Sequence, residues 1–274
     1  MASITINTDI KIDLPTFLGS VGIFFSILGV FLPFVVIPIF GSVNYFLNGK
    51  GDGIVILALS VMSIPALIKR EKILLIFPSI CAIMLLVFGY IIIIKNVPEE
   101  SANFISIGIG WIMMLFGSIS ILVSSFLIKG ENYDKSTPLF VFLISVFISL
   151  IGLVGDFVNN LPYSSQVTFL HFTTSFGEGI VVLLLLVVAY FLVVFRKTNW
   201  LWTIPIPMIA LLAYVLFFYK VYRREIYNDV GWAAVALFLG PIILFVSGIL
   251  LSKQRREEIS VENSSQIIAN NEIV

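Results

Sequence analysis

Long apolar runs constrain this chain more than any motif in it. Residues 17–39 and 104–128, for example, contain no charged residue, and about twenty such residues are enough for a helix to cross the hydrocarbon core of a bilayer. Hydrophobic residues make up 59% of the chain and charged residues 12%, whereas a soluble domain carries about 25% charged residues. We therefore predict an all-α polytopic membrane protein whose solvent is the lipid bilayer.

Eight runs meet or approach the length of about 17 to 25 residues that a spanning helix needs. The predicted spans are residues 17–39, 53–68, 73–94, 104–128, 138–158, 179–195, 200–219 and 230–252. Most of them are joined by short polar connections such as 69–72. These connections leave no room for a soluble domain.

Lysine and arginine are unevenly divided between the two predicted faces of the membrane. The face that holds the N-terminus carries eleven of them and the opposite face carries five. Because Lys and Arg favour cytoplasmic loops, we predict that both termini are cytoplasmic. The net charge is zero, so the overall balance does not indicate a nucleic-acid partner.

Two stretches of the chain match two later stretches in the same order. Residues 23–35 align without gaps on 146–158, and Gly-acid-Gly triplets at 51–53 and 177–179 open the second and sixth spans. A weaker match pairs residues 110–111 with 231–232. Glycine, serine and acidic matches are hard to obtain by chance among apolar segments. We therefore predict a duplicated four-helix unit, with two parallel repeats related by a pseudo-two-fold axis along the membrane normal.

This duplication divides the chain into four parts. They are a cytoplasmic N-terminal segment at 1–16, a first four-helix repeat at 17–130, a second four-helix repeat at 137–252, and a mobile cytoplasmic tail at 253–274. The tail is predicted to be mobile because it is polar and has too little apolar content to order itself.

Small residues recur at helical spacing, which places them on one face of a helix. Such faces let helix backbones approach closely in lipid, so we interpret them as packing surfaces. The predicted packing residues are Gly22, Ser26 and Gly29 in the first span, Ser145, Ser149 and Gly152 in the fifth, and Gly110 and Gly117 in the fourth.

Four residues are candidates for a ligand or partner site. Asp52 and Glu178 each stand between glycines at the start of a span, where a carboxylate caps the unpaired N–H groups of the helix or contributes to an ion site. Asp156 replaces a proline of the first repeat, and His171 lies in the longest outer loop. Asp156 ends the small-residue face of the fifth span and is interpreted as part of that packing face or as a cation or partner contact, and His171 as a solvated loop residue or part of a polar vestibule.

Several kinds of chemistry lack their usual residues in this chain. His171 is the only histidine, which excludes a metal site with several histidine ligands and bis-histidine haem ligation. The chain has neither an HExxH motif nor a phosphate-binding glycine-rich loop with lysine. We therefore predict no metal, no cofactor and no enzymatic activity.

One sequence pattern resembles that of a known group. Residues 31–34 read Phe-Leu-Pro-Phe, and after a short loop Gly51-Asp52-Gly53 opens the next span. This succession is similar to a pattern in prokaryotic multi-pass membrane proteins to which no activity is assigned, where Leu-Pro-Trp often precedes the loop. Phe34 stands where that pattern often has tryptophan. The second copy also departs from it, because it reads Gly-Asp-Phe at 155–157 and Gly-Glu-Gly at 177–179. The resemblance implies a bacterial or archaeal plasma membrane.

Two functions fit these features. The first is a non-catalytic subunit or scaffold of a membrane complex, in which the outer loops receive a lipid or another membrane-protein subunit. The second is a channel or facilitator for a small neutral or apolar solute, with a path between the two repeats. No Lys, Arg, Asp, Glu or His lies at the centre of a predicted span. Ion-coupled carriers usually have ionisable residues in their transport path, so ion-coupled transport is disfavoured.

Overall fold

The structure is a computed structural model that describes residues 13–37, 41–44, 52–96, 106–128, 137–154, 156–158, 167–168, 178–222 and 232–271. The described helices are α1 (Leu14–Phe31), α2 (Asp52–Ile68), α3 (Lys72–Asn96), α4 (Ile109–Leu127), α5 (Thr137–Val154), α6 (Glu178–Val194), α7 (Pro205–Tyr222) and α8 (Trp232–Asn271), with a 3₁₀ helix at Thr198–Thr203 between α6 and α7. The described strands are β1 (Pro33–Ile37), β2 (Gly41–Asn44), β3 (Ser106–Ile107), β4 (Asp156–Val158) and β5 (Val167–Thr168).

Within the described residues, six helical segments are long and apolar enough to cross a membrane. They are Leu14–Phe31, Lys72–Ile91, Ile109–Leu127, Thr137–Val154, Thr198–Val215 and Trp232–Gln266. Two shorter apolar segments, Gly53–Ile68 and Gly179–Val194, belong to α2 and α6. Large apolar side chains also face outward, such as Phe24 at 62% exposure. The predicted class of an all-α membrane protein is confirmed.

The first span ends earlier than the sequence predicts. The sequence predicts one helix over residues 17–39, but α1 ends at Phe31 and Leu32 is extended, with φ −88° and ψ 162°. A proline disfavours the α conformation at the residue before it, and Pro33 follows Leu32 directly. Pro33 therefore starts β1 and does not extend the Gly22, Ser26, Gly29 face.

Short strands occupy the connections at the end of the bundle where α1 finishes. β1 lies between β2 and β3 in an antiparallel three-stranded sheet, and Val35 pairs with both Val43 and Ile107. β4 and β5 form a separate two-stranded sheet. Each sheet includes the residues that directly follow the first helix of its half of the chain.

The last helix continues beyond the predicted end of the eighth span. The sequence predicts a tail without order from residue 253, whereas α8 is helical to Asn271. Residues 253–271 contain neither proline nor glycine, and Arg255 pairs with Glu258 at 3.0 Å one turn later. Both features favour continuation of a helix that is already formed. Mobility of this segment stays a prediction.

Among the described elements, packing is most extensive in two helix pairs, α1 with α4 and α5 with α8. α3 packs on α2 and α4, while the 3₁₀ helix and α7 pack on α8. Contact between the two halves runs mainly between α2 and α6. The buried core is continuous across both halves, and Met62, Met114, Phe142 and Tyr190 are among its fully buried side chains.

Candidate functional site

Charged residues gather where α1 begins, α2 and α6 end and α3 begins, and we call this region the basic end. Arg70 Nη2 lies 2.9 Å from Asp13 Oδ2 and ties the end of α2 to the start of α1. A hydrogen bond from the Thr16 side chain, with the positive charge of Arg70, lowers the pKa of Asp13. This ion pair is largely exposed, so its main effect is on position and it adds little stability.

Glu71 is the buried charge of the basic end, with 7% of its surface exposed. Its Oε1 lies 3.6 Å from Arg196 Nη2 at the end of α6, and its Oε2 is buried without a hydrogen-bond partner among the described residues. Burial raises the pKa of Glu71, and the nearby Arg196 opposes that rise. The pair joins the two halves of the chain through one incompletely satisfied carboxylate.

Arg70 and Arg196 share an unusual backbone conformation, because each has φ 56°. The Arg70 N–H donates to Leu67 O and the Glu71 N–H to Ala66 O, and the same pattern recurs as Arg196 to Val193 and Lys197 to Leu192. This is the Schellman ending of a helix, whose left-handed residue is usually glycine. A left-handed backbone costs an arginine about 1–2 kcal/mol. In return, each arginine places a cation at a helix C-terminus and pairs with an acid.

Tyr190 links the halves a short distance inside the bundle. Its side chain is fully buried, and its hydroxyl donates a hydrogen bond to Leu74 O in α3. Its ring lies 6.4 Å from the ring of Phe142 in α5. One side chain of α6 therefore contacts both the first half and the first helix of its own half.

The predicted packing residues of α1 and α4 face each other across the helix pair. A methyl group on Gly22 would lie 2.7 Å from Gly117 O, and one on Gly29 would lie 2.8 Å from Gly110 O. A methyl group on Gly117 would meet Ser26 Oγ and lie 2.5 Å from Gly22 O. Backbones can approach this closely only where side chains are missing.

The predicted packing residues of α5 face α8 in the same manner. A methyl group on Gly152 would lie 2.7 Å from Leu237 N, and one on Gly240 would meet Ser149 Oγ. The Ser149 hydroxyl donates to Ser145 O at 2.9 Å. Gly240 is a contact residue that the sequence reasoning missed, although a glycine at the position equivalent to Gly117 was a usable signal.

The four predicted ligand residues are described only in part. Asp52 and Glu178 are the first residues of α2 and α6, and Asp156 opens β4, where it pairs with Thr168. Their side chains and the whole of His171 lie outside the described residues. A ligand or partner role for these four residues stays a prediction.

The basic end was not predicted as a site, because the sequence showed its residues only as turns between spans. A lone tyrosine hydroxyl within the apolar sixth span was the available signal for Tyr190. The described part of the chain contains no group of three His, Cys, Asp or Glu residues that could hold a metal. What the basic end can do chemically is hold charge: two ion pairs and three nearby lysines, Lys69, Lys72 and Lys197.

Comparison with protein-family models, with curated proteins and with solved structures gives no match for this chain.

Proposed function

We propose that this protein is a non-catalytic integral membrane subunit or scaffold, built as eight spans in two parallel four-helix repeats. The observation that carries this proposal is the continuation of α8 past the bundle. All the side chains described within 256–266 are exposed, and at about 1.5 Å per residue residues 253–271 extend roughly 28 Å. A polar helix whose described side chains from 256 to 266 are all exposed is suited to contact another molecule.

The repeat is supported by the correspondence between the two main helix pairs. Gly117 meets Ser26 as Gly240 meets Ser149, and the partners are displaced along the chain by the same number of residues. α1 and α5 each have 18 residues, and α2 and α6 each have 17. This correspondence aligns Gly117 with Gly240. The weaker match of 110–111 with 231–232 differs from this alignment by two residues.

Spanning by the two shorter helices is supported by where their ends lie. α2 follows the strands at one end of the bundle and finishes beside Asp13 at the other, through the ion pair with Arg70. α6 finishes at the same end, through the ion pair between Arg196 and Glu71. At about 1.5 Å per residue each helix is about 26 Å long, close to the hydrocarbon thickness of about 30 Å.

Cytoplasmic termini are part of the same proposal. The basic end carries Lys69, Arg70, Lys72, Arg196 and Lys197 within the described residues, and lysine and arginine favour the cytoplasmic side. α8 passes this end at Leu251, whose carbonyl accepts a hydrogen bond from the Thr198 hydroxyl at 3.4 Å. Its extension therefore emerges on the cytoplasmic side, in a bacterial or archaeal plasma membrane.

A photo-crosslinking amino acid at Val261 tests the scaffold proposal. Val261 is 66% exposed on the extension, and Phe116, 54% exposed on α4, gives a matched control position in the lipid-facing bundle. The proposal predicts one discrete adduct from Val261, with a protein that also co-purifies in stoichiometric amount, and none from Phe116. A Val261 probe that yields no adduct in cells, with no co-purifying protein, would refute it.

The alternative is a channel or facilitator for a small neutral or apolar solute between the repeats. The observation that favours it is Glu71, a buried carboxylate where the two halves meet at the basic end, one oxygen of which has no hydrogen-bond partner in the part of the chain that the structure describes. Reconstitution of the pure protein in liposomes tests it. Flux that changes in Glu71→Gln would favour the alternative, and no flux for any solute tried would count against it.

A further inference from the structure

An apolar groove runs along the outer face of α6 toward the basic end. It is lined by Val187, Val188, Phe191, Leu192, Phe195 and Lys197, with a volume of about 540 Å³. Its members recur at a spacing of four residues, so they share one helix face. Val188 and Phe195 are 47% and 44% exposed. In a membrane, this face of α6 is therefore directed at lipid.

Positive charge is concentrated at one end of this groove. Lys197 lines it, and Lys69 Nζ, from the end of α2, lies 5.6 Å from the centre of the Phe195 ring. Arg70 and Arg196 are paired with Asp13 and Glu71. In the part of the chain that the structure describes, Lys69 and Lys197 have no carboxylate within ion-pair distance. The groove thus ends at two lysines that form no ion pair with the described carboxylates.

We propose that this groove binds an anionic phospholipid. The acyl chain lies against Val187, Phe191 and Phe195, and the phosphate lies between Lys69 and Lys197. Basic pockets at the cytoplasmic ends of membrane helices favour such headgroups, and burial of acyl methylene groups adds affinity for the chain. A zwitterionic lipid fits less well, because its own cation competes for the phosphate.

This lipid would join the two halves of the bundle. Lys69 belongs to the first half, whereas Phe195 and Lys197 follow α6 in the second. The ion pair between Glu71 and Arg196 crosses the same boundary at 3.6 Å. The headgroup therefore adds a second electrostatic connection beside one whose carboxylate is incompletely satisfied.

Lipid retention after detergent washing tests the proposal. The protein is exchanged into micelles that contain equal amounts of phosphatidylglycerol and phosphatidylcholine with identical chains, and the bound lipids are measured by native mass spectrometry. The wild type should retain phosphatidylglycerol preferentially. The double variant Lys69→Gln, Lys197→Gln should bind it about 25-fold more weakly, from about fivefold for each lysine.

The matched control is Lys72→Gln, which also removes one charge at the basic end and is compared with Lys69→Gln. Lys72 lies over the Phe126 ring of α4, away from the groove, so this variant should keep the preference. An equal loss in both variants would refute the site, because general attraction to the basic end would then explain binding. An unchanged preference in Lys69→Gln, Lys197→Gln would also refute it.

A second variant tests the groove itself. Val188→Trp fills the apolar channel with a large side chain at an exposed position and should reduce retention of phosphatidylglycerol while the helical content stays unchanged. A photo-crosslinker at Val188 should attach to lipid. Attachment to a polypeptide, with no lipid adduct, would overturn the proposal and assign the groove to a protein partner.

Discussion

The substitution Gly117→Ala probes the closest backbone contact in the first half. The added methyl group would meet Ser26 Oγ and lie 2.5 Å from Gly22 O and 2.6 Å from Ser26 N. A carbon needs about 3.3 Å from a carbonyl oxygen, so α1 and α4 must separate locally by about 0.8 Å. Two of these neighbours are backbone atoms, which cannot rotate away.

The expected cost follows from two opposing effects. Overpacking of this kind costs about 1–3 kcal/mol, while alanine gains about 0.5–1 kcal/mol over glycine within a helix. The cost of overpacking is larger than the gain in helix propensity, so we expect Gly117→Ala to lower the free energy of unfolding by about 0.5–2 kcal/mol. The measurement is the midpoint of unfolding in mixed micelles titrated with sodium dodecyl sulfate, followed by circular dichroism.

Gly19→Ala is the matched control on α1, which at this position faces both α2 and α4. Its methyl group would lie 2.6 Å from Leu67 Cδ1 and 2.9 Å from Ser124 Oγ, which are side-chain ends that can move. We expect Gly19→Ala to lower the free energy of unfolding by less than Gly117→Ala does, because these side-chain ends can rotate away while the gain of about 0.5–1 kcal/mol from alanine within a helix is kept. If Gly117→Ala proves as stable as Gly19→Ala, close backbone approach is not what holds α1 to α4.

Two further substitutions test the connections between the halves. Tyr190→Phe removes the hydroxyl that donates to Leu74 O, and we expect it to cost about 0.5–1.5 kcal/mol in the same unfolding titration; no loss would show that this bond contributes nothing. Glu71→Gln should change how the free energy of unfolding depends on pH. The pKa of Glu71 is raised from 4.5 in the folded protein, so the folded state binds the carboxyl proton more tightly than the unfolded state does. Its contribution to stability is therefore complete below pH 4.5 and declines as the pH rises through the folded pKa. The midpoint of unfolding should show this decline in the wild type and lack it in Glu71→Gln, whereas equal profiles would contradict the assigned burial.

Spacing alone could predict which residues would lie on a packing face. Gly22, Ser26 and Gly29 follow one helical stripe, and the structure places them against Gly117 and Gly110. Periodicity does not tell which helix lies opposite, because any two small faces are compatible in lipid. The pairing of α1 with α4, across two intervening helices, depends on the fold of the whole half.

Other features depend on contacts that no local pattern contains. The sequence shows Glu71 within a charged turn, and only the approach of Arg196 from the other half makes it part of a buried pair. The strand β1 arises because Pro33 stops a helix that the apolar run would otherwise continue. The sequence does not predict the extension of α8, because its low apolar content alone favours disorder. The structure shows that these residues continue a helix that is already formed.

The parallel two-repeat architecture is the claim on which the other proposals depend, and cysteine labelling on intact cells tests it most directly. In a Cys81→Ser background, which removes the single native thiol, single cysteines replace Lys69 and Lys197 at the basic end and Ile107 in β3. With a membrane-impermeant maleimide, the account predicts that Ile107→Cys reacts from outside, while Lys69→Cys and Lys197→Cys react only after permeabilisation. Reaction of Lys69→Cys and Lys197→Cys from opposite sides of the membrane would contradict it.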